Sequence, residues 1–149
     1  MSAFLPFLIK KNDDAVVNPY DRWGVMVKSI PFNLAPEIKP YASTDWPDED
    51  GDDEYIPSTP RFKAYEMEIS FVYVGEYNTA NNKIREFWNY VKSGELQIYD
   101  TYTGIGRKGI RYVGYSSTAF HRRNLSGDVV EFKIKFKVNN PVDDIILEQ

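Results

Sequence analysis

DVVEFKIKFKV, residues 128–138, alternates apolar and polar side chains along most of its length. The apolar side chains occupy alternate positions: Val130, Phe132, Ile134, Phe136 and Val138. The positions between them are charged: Glu131, Lys133, Lys135 and Lys137. A period of two predicts a β-strand with one face buried and the other in water. The Asn-Asn-Pro sequence at residues 139–141 ends that strand, because proline cannot donate to a strand ladder.

A second long strand is predicted at residues 64–74, AYEMEISFVYV, which alternate in the same way. Val72 and Val74 make its far end apolar on both faces, so we expect another layer to cover that end. Shorter strands are predicted at residues 23–30, 95–100 and 109–115, with a hairpin turn at residues 103–106 between the last two.

One amphipathic α-helix is predicted at residues 79–93. An apolar stripe at helical spacing is formed by Ile84, Phe87, Trp88 and Val91. Asn78 is the expected N-cap, and Ser93-Gly94 ends the helix. The pattern therefore predicts a mainly β protein: an antiparallel β-sandwich or open barrel with one amphipathic α-helix.

The length of 149 residues fits a single domain, residues 1–149. The chain has no cysteine, which excludes disulfide scaffolds, thiol catalysis and cysteine-based metal sites. The N-terminal sequence MSAFLPFLIKKNDD lacks the charge order and cleavage site of a signal peptide, and its apolar character permits packing on this chain or on a neighbour. No run of 18 apolar residues predicts a membrane span. We therefore expect synthesis and folding in a cytoplasm, with no membrane partner.

An acidic, proline-rich loop is predicted at residues 31–62. Seven of the ten residues 45–54 are carboxylates: Asp45, Asp48, Glu49, Asp50, Asp52, Asp53 and Glu54. Such a run repels itself, which suits a solvated loop, and it also suits a contact with a basic surface of another subunit. A calcium loop fits poorly, because aligning Gly51 with the required glycine leaves Trp46 and Pro57 at ligand positions.

Positive charge is concentrated later in the chain. Residues 1–82 have a net charge of −7 and residues 83–137 a net charge of +6, although the whole chain is at −4. The predicted basic side of a subunit interface consists of Arg107, Lys108, Arg111, Arg122 and Arg123. A further set is predicted on the outer face of the last strand or along a channel: Lys133, Lys135 and Lys137. The acidic overall balance argues against nucleic-acid binding as the primary function.

Catalytic motifs are missing from the sequence. His121 is the only histidine, and it stands beside two arginines, which disfavours a general base. Residues 104–109 have the spacing G-x-G-x-x-G, but they lie between two predicted strands instead of opening a helix. We therefore predict a protein that is not an enzyme and has no cofactor and no metal site.

The order of these signals is typical of one family. A first strand is followed by the acidic segment 48–52, the aromatic strand 65–74, the helix 80–92, the strand 96–100 that leads into residues 109–113, and the closing strand up to residues 136–141. This order resembles the N-terminal domain of distal tail proteins of long-tailed bacteriophages. It is also similar to tail-tube proteins and to the tube proteins of contractile injection systems.

The resemblance implies a structural role in the tail of a phage or prophage virion. Subunits would form a homohexameric ring around a channel, with DNA only in passage and with other tail or baseplate proteins as partners. The split charge distribution fits head-to-tail contacts between copies. The residues leave two alternatives: a carbohydrate-binding β-sandwich module, with Trp46, Tyr55 and Tyr102 as sugar platforms, and a small enzyme on a barrel scaffold.

Overall fold

The computed structural model describes residues 5–121 and 127–148. The elements, in chain order, are β1 (Phe7–Lys11), α1 (Pro19–Trp23), β2 (Val25–Ser29), β3 (Ser43–Thr44), β4 (Asp53–Glu54), β5 (Tyr65–Gly75), α2 (Ala80–Val91), β6 (Leu96–Asp100), β7 (Ile105–His121) and β8 (Asp128–Val138). The predicted class, a mainly antiparallel β protein with an amphipathic helix, is confirmed.

Six strands form one antiparallel sheet in the order β1-β6-β7-β8-β5-β2. The ladder between β5 and β8 runs without interruption from Tyr65 opposite Val138 to Gly75 opposite Asp128. The sheet curls over its inner face, because the ring of Phe7 on β1 lies 5.6 Å from that of Phe71 on β5 although three strands separate them. The strands β1 and β2 remain the two edges of the sheet.

The core lies between this curled inner face and helix α2. The alternating residues predicted to face inward on β8 are all buried, as are those of β5 from Met67 onward. From α2, Phe87 and Val91 are fully buried, whereas Trp88 at the edge of the stripe is partly exposed. Val74 is exposed, so the expectation of a covering layer at that end of β5 is wrong.

The first forty residues differ most from the prediction. The last part of the N-terminal apolar run packs on its own chain, since Phe7, Leu8 and Ile9 are buried and β1 pairs with β6. Residues 1–4 lie outside the described residues. The short helix α1 was not predicted and occupies the start of the predicted strand 23–30, which begins only at Val25.

Helix α2 begins at Ala80, and its N-cap is Thr79 rather than the predicted Asn78. Asn78 adopts φ +68, in the left-handed region. The carboxylate of Asp128 on β8 accepts hydrogen bonds from the backbone N–H groups of Thr79 and Ala80, both at 3.0 Å. The first turn of α2 is thus capped by a residue 48 positions away in sequence, which attaches the helix to the central sheet.

Asp128→Asn is expected to lower the thermal unfolding midpoint at neutral pH. Hydrogen bonds from backbone N–H groups, that of Ala80 foremost, hold the pKa of Asp128 below its ordinary value. A carboxyl whose pKa is lower in the folded state stabilises above its unfolded pKa and loses that effect as the pH falls through the folded pKa. The midpoint difference from the wild type should therefore shrink in acid, measured by circular dichroism from pH 7 to pH 2. Asp13→Asn, at an exposed acid after β1, is the control, and a pH-independent difference for Asp128→Asn would contradict the capping role.

Candidate subunit interface

The predicted acidic loop is folded as a two-sided arm, which we call the acidic arm (residues 37–63). Its two sides are hydrogen-bonded at Lys63 N to Glu37 O (2.7 Å), Lys39 N to Arg61 O (2.8 Å) and Tyr55 N to Ala42 O (3.0 Å). Strands β3 and β4 add a short ladder, with Ser43 opposite Glu54. Local backbone pairing, which the sequence did not predict, holds the arm extended.

The tip of the acidic arm concentrates negative charge in water. All seven carboxylates predicted for the interface lie on exposed residues of this arm. Glu54 and Asp53 belong to β4, and the other five lie at or beside the turn between β3 and β4. Among residues 5–121 and 127–148, no group of three or more carboxylate or histidine side chains is placed to hold a metal ion. The arrangement suits long-range attraction of a cationic surface.

The predicted basic residues that the structure describes differ in exposure: Arg107 is buried, Lys108 is half-buried and Arg111 is exposed. Arg107 is 5% exposed and its guanidinium binds Asp144 of the C-terminal segment (residues 139–148). Lys108 lies 3.7 Å from Asp143 of the same segment. Arg122 and Arg123 lie outside the described residues. Because Arg107 is committed within its own chain, we leave it out of the proposed interface.

The C-terminal segment is held by more than charge. Leu147 is buried. Position 106 has no room for a side chain, because a β-carbon there would lie 2.5 Å from the carbonyl oxygen of Ile145. The side-chain amide of Asn140, and then the ammonium of Lys108, lower the pKa of Asp143. This segment therefore covers the start of β7 and removes Arg107 from the surface.

The three lysines of β8 lie on the outer face of the sheet, where they oppose residues of β5. Lys137 is opposite Glu66, Lys135 is opposite Glu68, and Lys133 is opposite Ser70. Lys133 Nζ also lies 3.9 Å from Glu68 Oε1. Opposite charges on neighbouring strands stabilise a sheet face modestly. A channel-lining role for these lysines stays a prediction.

His121 ends β7 on the same outer face. Its Nε2 lies 3.3 Å from Glu131 Oε2, and Lys28 Nζ lies 3.4 Å from the other oxygen of that carboxylate. The hydrogen bond from His121, followed by that from Lys28, lowers the pKa of Glu131. The contact of His121 joins the neighbouring strands β7 and β8, whereas Lys28 on β2 reaches Glu131 across β5. In the described contacts, His121 is oriented by a carboxylate and has no nucleophile beside it.

The proposed sugar platforms occupy two different parts of the molecule. Trp46 and Tyr55 lie on the acidic arm, and Tyr102 lies in the turn between β6 and β7. All three are exposed. The structure therefore assigns them to separate loops, and only Trp46 and Tyr55 share one element.

An apolar groove that the sequence did not indicate opens on the inner face of the sheet, between α2, the second half of β7 and the facing part of β8. We call it the α2 groove, and its volume is about 640 Å³. The side chains that line the groove include Trp88, Tyr115, Phe120, Ile84, Phe132 and Arg85. Trp88, Tyr115 and Phe120 are 36%, 53% and 62% exposed. Partial burial raises the pKa of Tyr115. The feature of the sequence that relates to this groove is Trp88, at the edge of the apolar stripe predicted for the helix.

The fold and the acidic arm together define the class of protein: a curled antiparallel sheet packed against helix α2, with an extended acidic hairpin. Among solved structures, the chain is similar to the Dit protein (gp 19.1) of phage SPP1, described as a paradigm of the hub adsorption apparatus in phages that infect Gram-positive bacteria. The TM-score is 0.54 and the identity 15%. The match covers 91% of this chain and 50% of the SPP1 protein, so this chain spans about half the length of that relative.

At this level of identity the likeness shows a shared fold. No protein-family model matches the chain, and no curated protein matches it. No helix in the described part of the chain is both long enough and apolar enough to cross a membrane.

Proposed function

We propose that this chain is a structural subunit of a phage or prophage tail, which assembles with copies of itself into a ring. The observation that carries the proposal is the fold, which is shared over 91% of the chain with a hub protein of a phage adsorption apparatus. Six copies around a channel, DNA only in passage, and other tail or baseplate proteins as neighbours complete the proposal. The site of action is the virion tail.

The acidic arm supports an assembly role in place of catalysis. An extended arm whose hydrogen bonds join its own two sides presents seven exposed acidic residues. A head-to-tail contact between an arm and a different surface of the next copy generates a closed ring when the rotation closes. Charge complementarity then sets the register of the contact and speeds encounter. The exposed cations available for this contact include Arg111, Arg85 of α2 and Lys92 just after α2.

The test of the proposal is the solution mass of the full chain by light scattering, with negative-stain images of the same samples. We expect six-fold rings. The average mass of the sample should fall as the salt concentration rises and rings dissociate, because exposed charges are screened over about 10 Å at 0.1 M salt. A chain that stays monomeric at every concentration and salt level would contradict the proposal.

Neutralising the arm tip is expected to weaken assembly without unfolding the domain. In the triple variant Asp48→Asn, Glu49→Gln and Asp50→Asn, we expect the dissociation constant to rise about tenfold, because exposed ion pairs contribute up to about 1 kcal/mol each and about 1.4 kcal/mol is a factor of ten. Sedimentation measures the dissociation constant, and circular dichroism checks the fold. The matched control removes two Asp and one Glu elsewhere: Asp13→Asn, Asp14→Asn and Glu148→Gln. Equal effects of the two triple variants would remove the arm tip from the mechanism.

A further inference from the structure

The α2 groove has the character of a docking site. Trp88, Tyr115 and Phe120 expose between 36% and 62% of their surfaces around one concavity. Clusters of exposed large apolar side chains mark interaction sites in soluble proteins. A volume of about 640 Å³ lies within the range of roughly 300–1,000 Å³ that is typical of ligand clefts, so the groove has room for side chains of a docking segment.

The rim of the α2 groove is cationic. Arg85 is exposed at the groove and has no ion pair among the described residues. Lys92 Nζ lies 4.5 Å from the ring centroid of Trp88. Residues 80–92 contain three cations and a single carboxylate, Glu86. The groove therefore fits an apolar segment that is flanked by acids.

The acidic arm presents such a segment. Tyr55 and Ile56 are 72% and 70% exposed, and they directly follow Asp52, Asp53 and Glu54. The hydrogen bond from Tyr55 N to Ala42 O holds the start of this segment in the extended conformation. A segment ordered before binding loses less conformational entropy when it binds.

The placement of the two features favours a contact between copies. The arm returns to the sheet just before Tyr65, at the end of the ladder where Tyr65 is opposite Val138. Phe132 of the groove lies six residues further along β8, about 20 Å away at the rise of a β-strand. Two complementary surfaces at different places on one chain make a head-to-tail contact, and repetition of that contact builds a ring.

We propose that the α2 groove of one copy receives Tyr55 and Ile56 of the acidic arm of a second copy. The acids of residues 52–54 then lie against Arg85 and Lys92 at the rim. This inference rests on the proposed self-assembly and names the site within it. It also accounts for the exposed Trp88, which the pattern of the helix alone places in the core.

The absence of cysteine from the chain makes a cross-linking test direct. Two single-cysteine variants of the full chain, Ile56→Cys and Thr118→Cys, are mixed after one is labelled with ¹⁵N, and a short bis-maleimide is added. Thr118 lines the groove. We expect at least about fivefold more cross-linked heterodimer than from the control mixture of Tyr102→Cys with Thr118→Cys, because Tyr102 is exposed on a different loop. Mass spectrometry identifies the pair, and every product joins two chains.

A second measurement keeps the test independent of linker geometry. The double variant Tyr55→Ser with Ile56→Ser is expected to raise the dissociation constant about tenfold or more, because both side chains leave water on binding. Leu34→Ser, at an exposed apolar residue outside the acidic arm, is expected to leave it within about twofold. A negligible effect of the double variant would overturn the inference.

The outcomes separate the inference from the proposed function. Rings that form without the Ile56–Thr118 cross-link would overturn the groove site and leave the assembly proposal standing. A chain that remains monomeric would overturn both. Rings with the cross-link, weakened by the double serine variant, would support both.

Discussion

Replacing Phe87 with alanine is expected to lower the free energy of unfolding by about 3–5 kcal/mol. Phe87 is 0% exposed, and its ring is surrounded by three others. The centroid distances are 5.1 Å to Phe71 on β5, 5.4 Å to Trp23 on α1 and 6.1 Å to Phe132 on β8. Because these neighbours belong to three different elements, the cavity left by alanine closes poorly. The loss is a large part of the roughly 5–15 kcal/mol that stabilises a typical domain.

Urea unfolding followed by circular dichroism and tryptophan fluorescence measures this loss, and Trp23 provides a local signal because it packs on Phe87. The matched control is Trp88→Ala, one position along the same helix. Trp88 is 36% exposed and lines the α2 groove, so we expect less than half of the stability loss and, instead, weaker self-association. Equal losses of stability for the two variants would contradict the division of α2 into a core face and a groove face.

The strands with strict alternation were predictable because their own side chains determine which face is buried. The stretch 128–138 matches β8 at both ends, and residues 64–74 match β5 within one residue. Both strands lie in the middle of the sheet, where one face packs on the core along the whole strand. In such a strand, the alternation of apolar and polar residues in the sequence matches the alternation of buried and exposed residues in the structure.

The elements that were missed depend on signals of shorter range or on bulges. Helix α1 has only five residues, and its signs are Asn18, whose side chain accepts from Tyr20 N, Pro19 at its first position, and Gly24 at φ +72. Strand β7 extends to His121, far beyond the predicted residue 115. The register of β7 against β8 shifts twice, after Tyr112 and after Tyr115, so the alternation that would have indicated the strand is broken.

Only part of the candidate site could be predicted from the sequence. The acidic arm follows from composition, because seven carboxylates in ten residues do not enter a core. Arg107 is held away from the surface by its pair with Asp144, which lies 37 residues later in the sequence. No local pattern in the sequence predicts that pair. The α2 groove arises from side chains on one helix and two strands, so it exists only after the chain has folded.

Removing the acidic arm is expected to abolish self-association while the domain stays folded. The design replaces residues 40–60 with Asn-Gly, the preferred two-residue turn of a tight hairpin, between Lys39 and Arg61. These two residues are already joined by the hydrogen bond from Lys39 N to Arg61 O. Shortening a loop in this way changes the closure entropy by only about 1–2 kcal/mol, and in the stabilising direction. We therefore expect an unfolding midpoint equal to or slightly above that of the wild type.

The expected mass of the arm-deleted chain is that of a monomer, because the deletion removes all seven carboxylates together with Tyr55 and Ile56. Light scattering at concentrations where the wild type forms rings measures this. The double variant Tyr55→Ser with Ile56→Ser keeps the charges and separates the apolar contribution from the electrostatic one. If rings persist after the deletion, the contacts between copies must lie elsewhere. The outward edge of β2 would then be the first surface available for pairing, because β2 is an edge strand of the sheet, whereas the outward edge of β1 is already bonded at Ile9 to Val17.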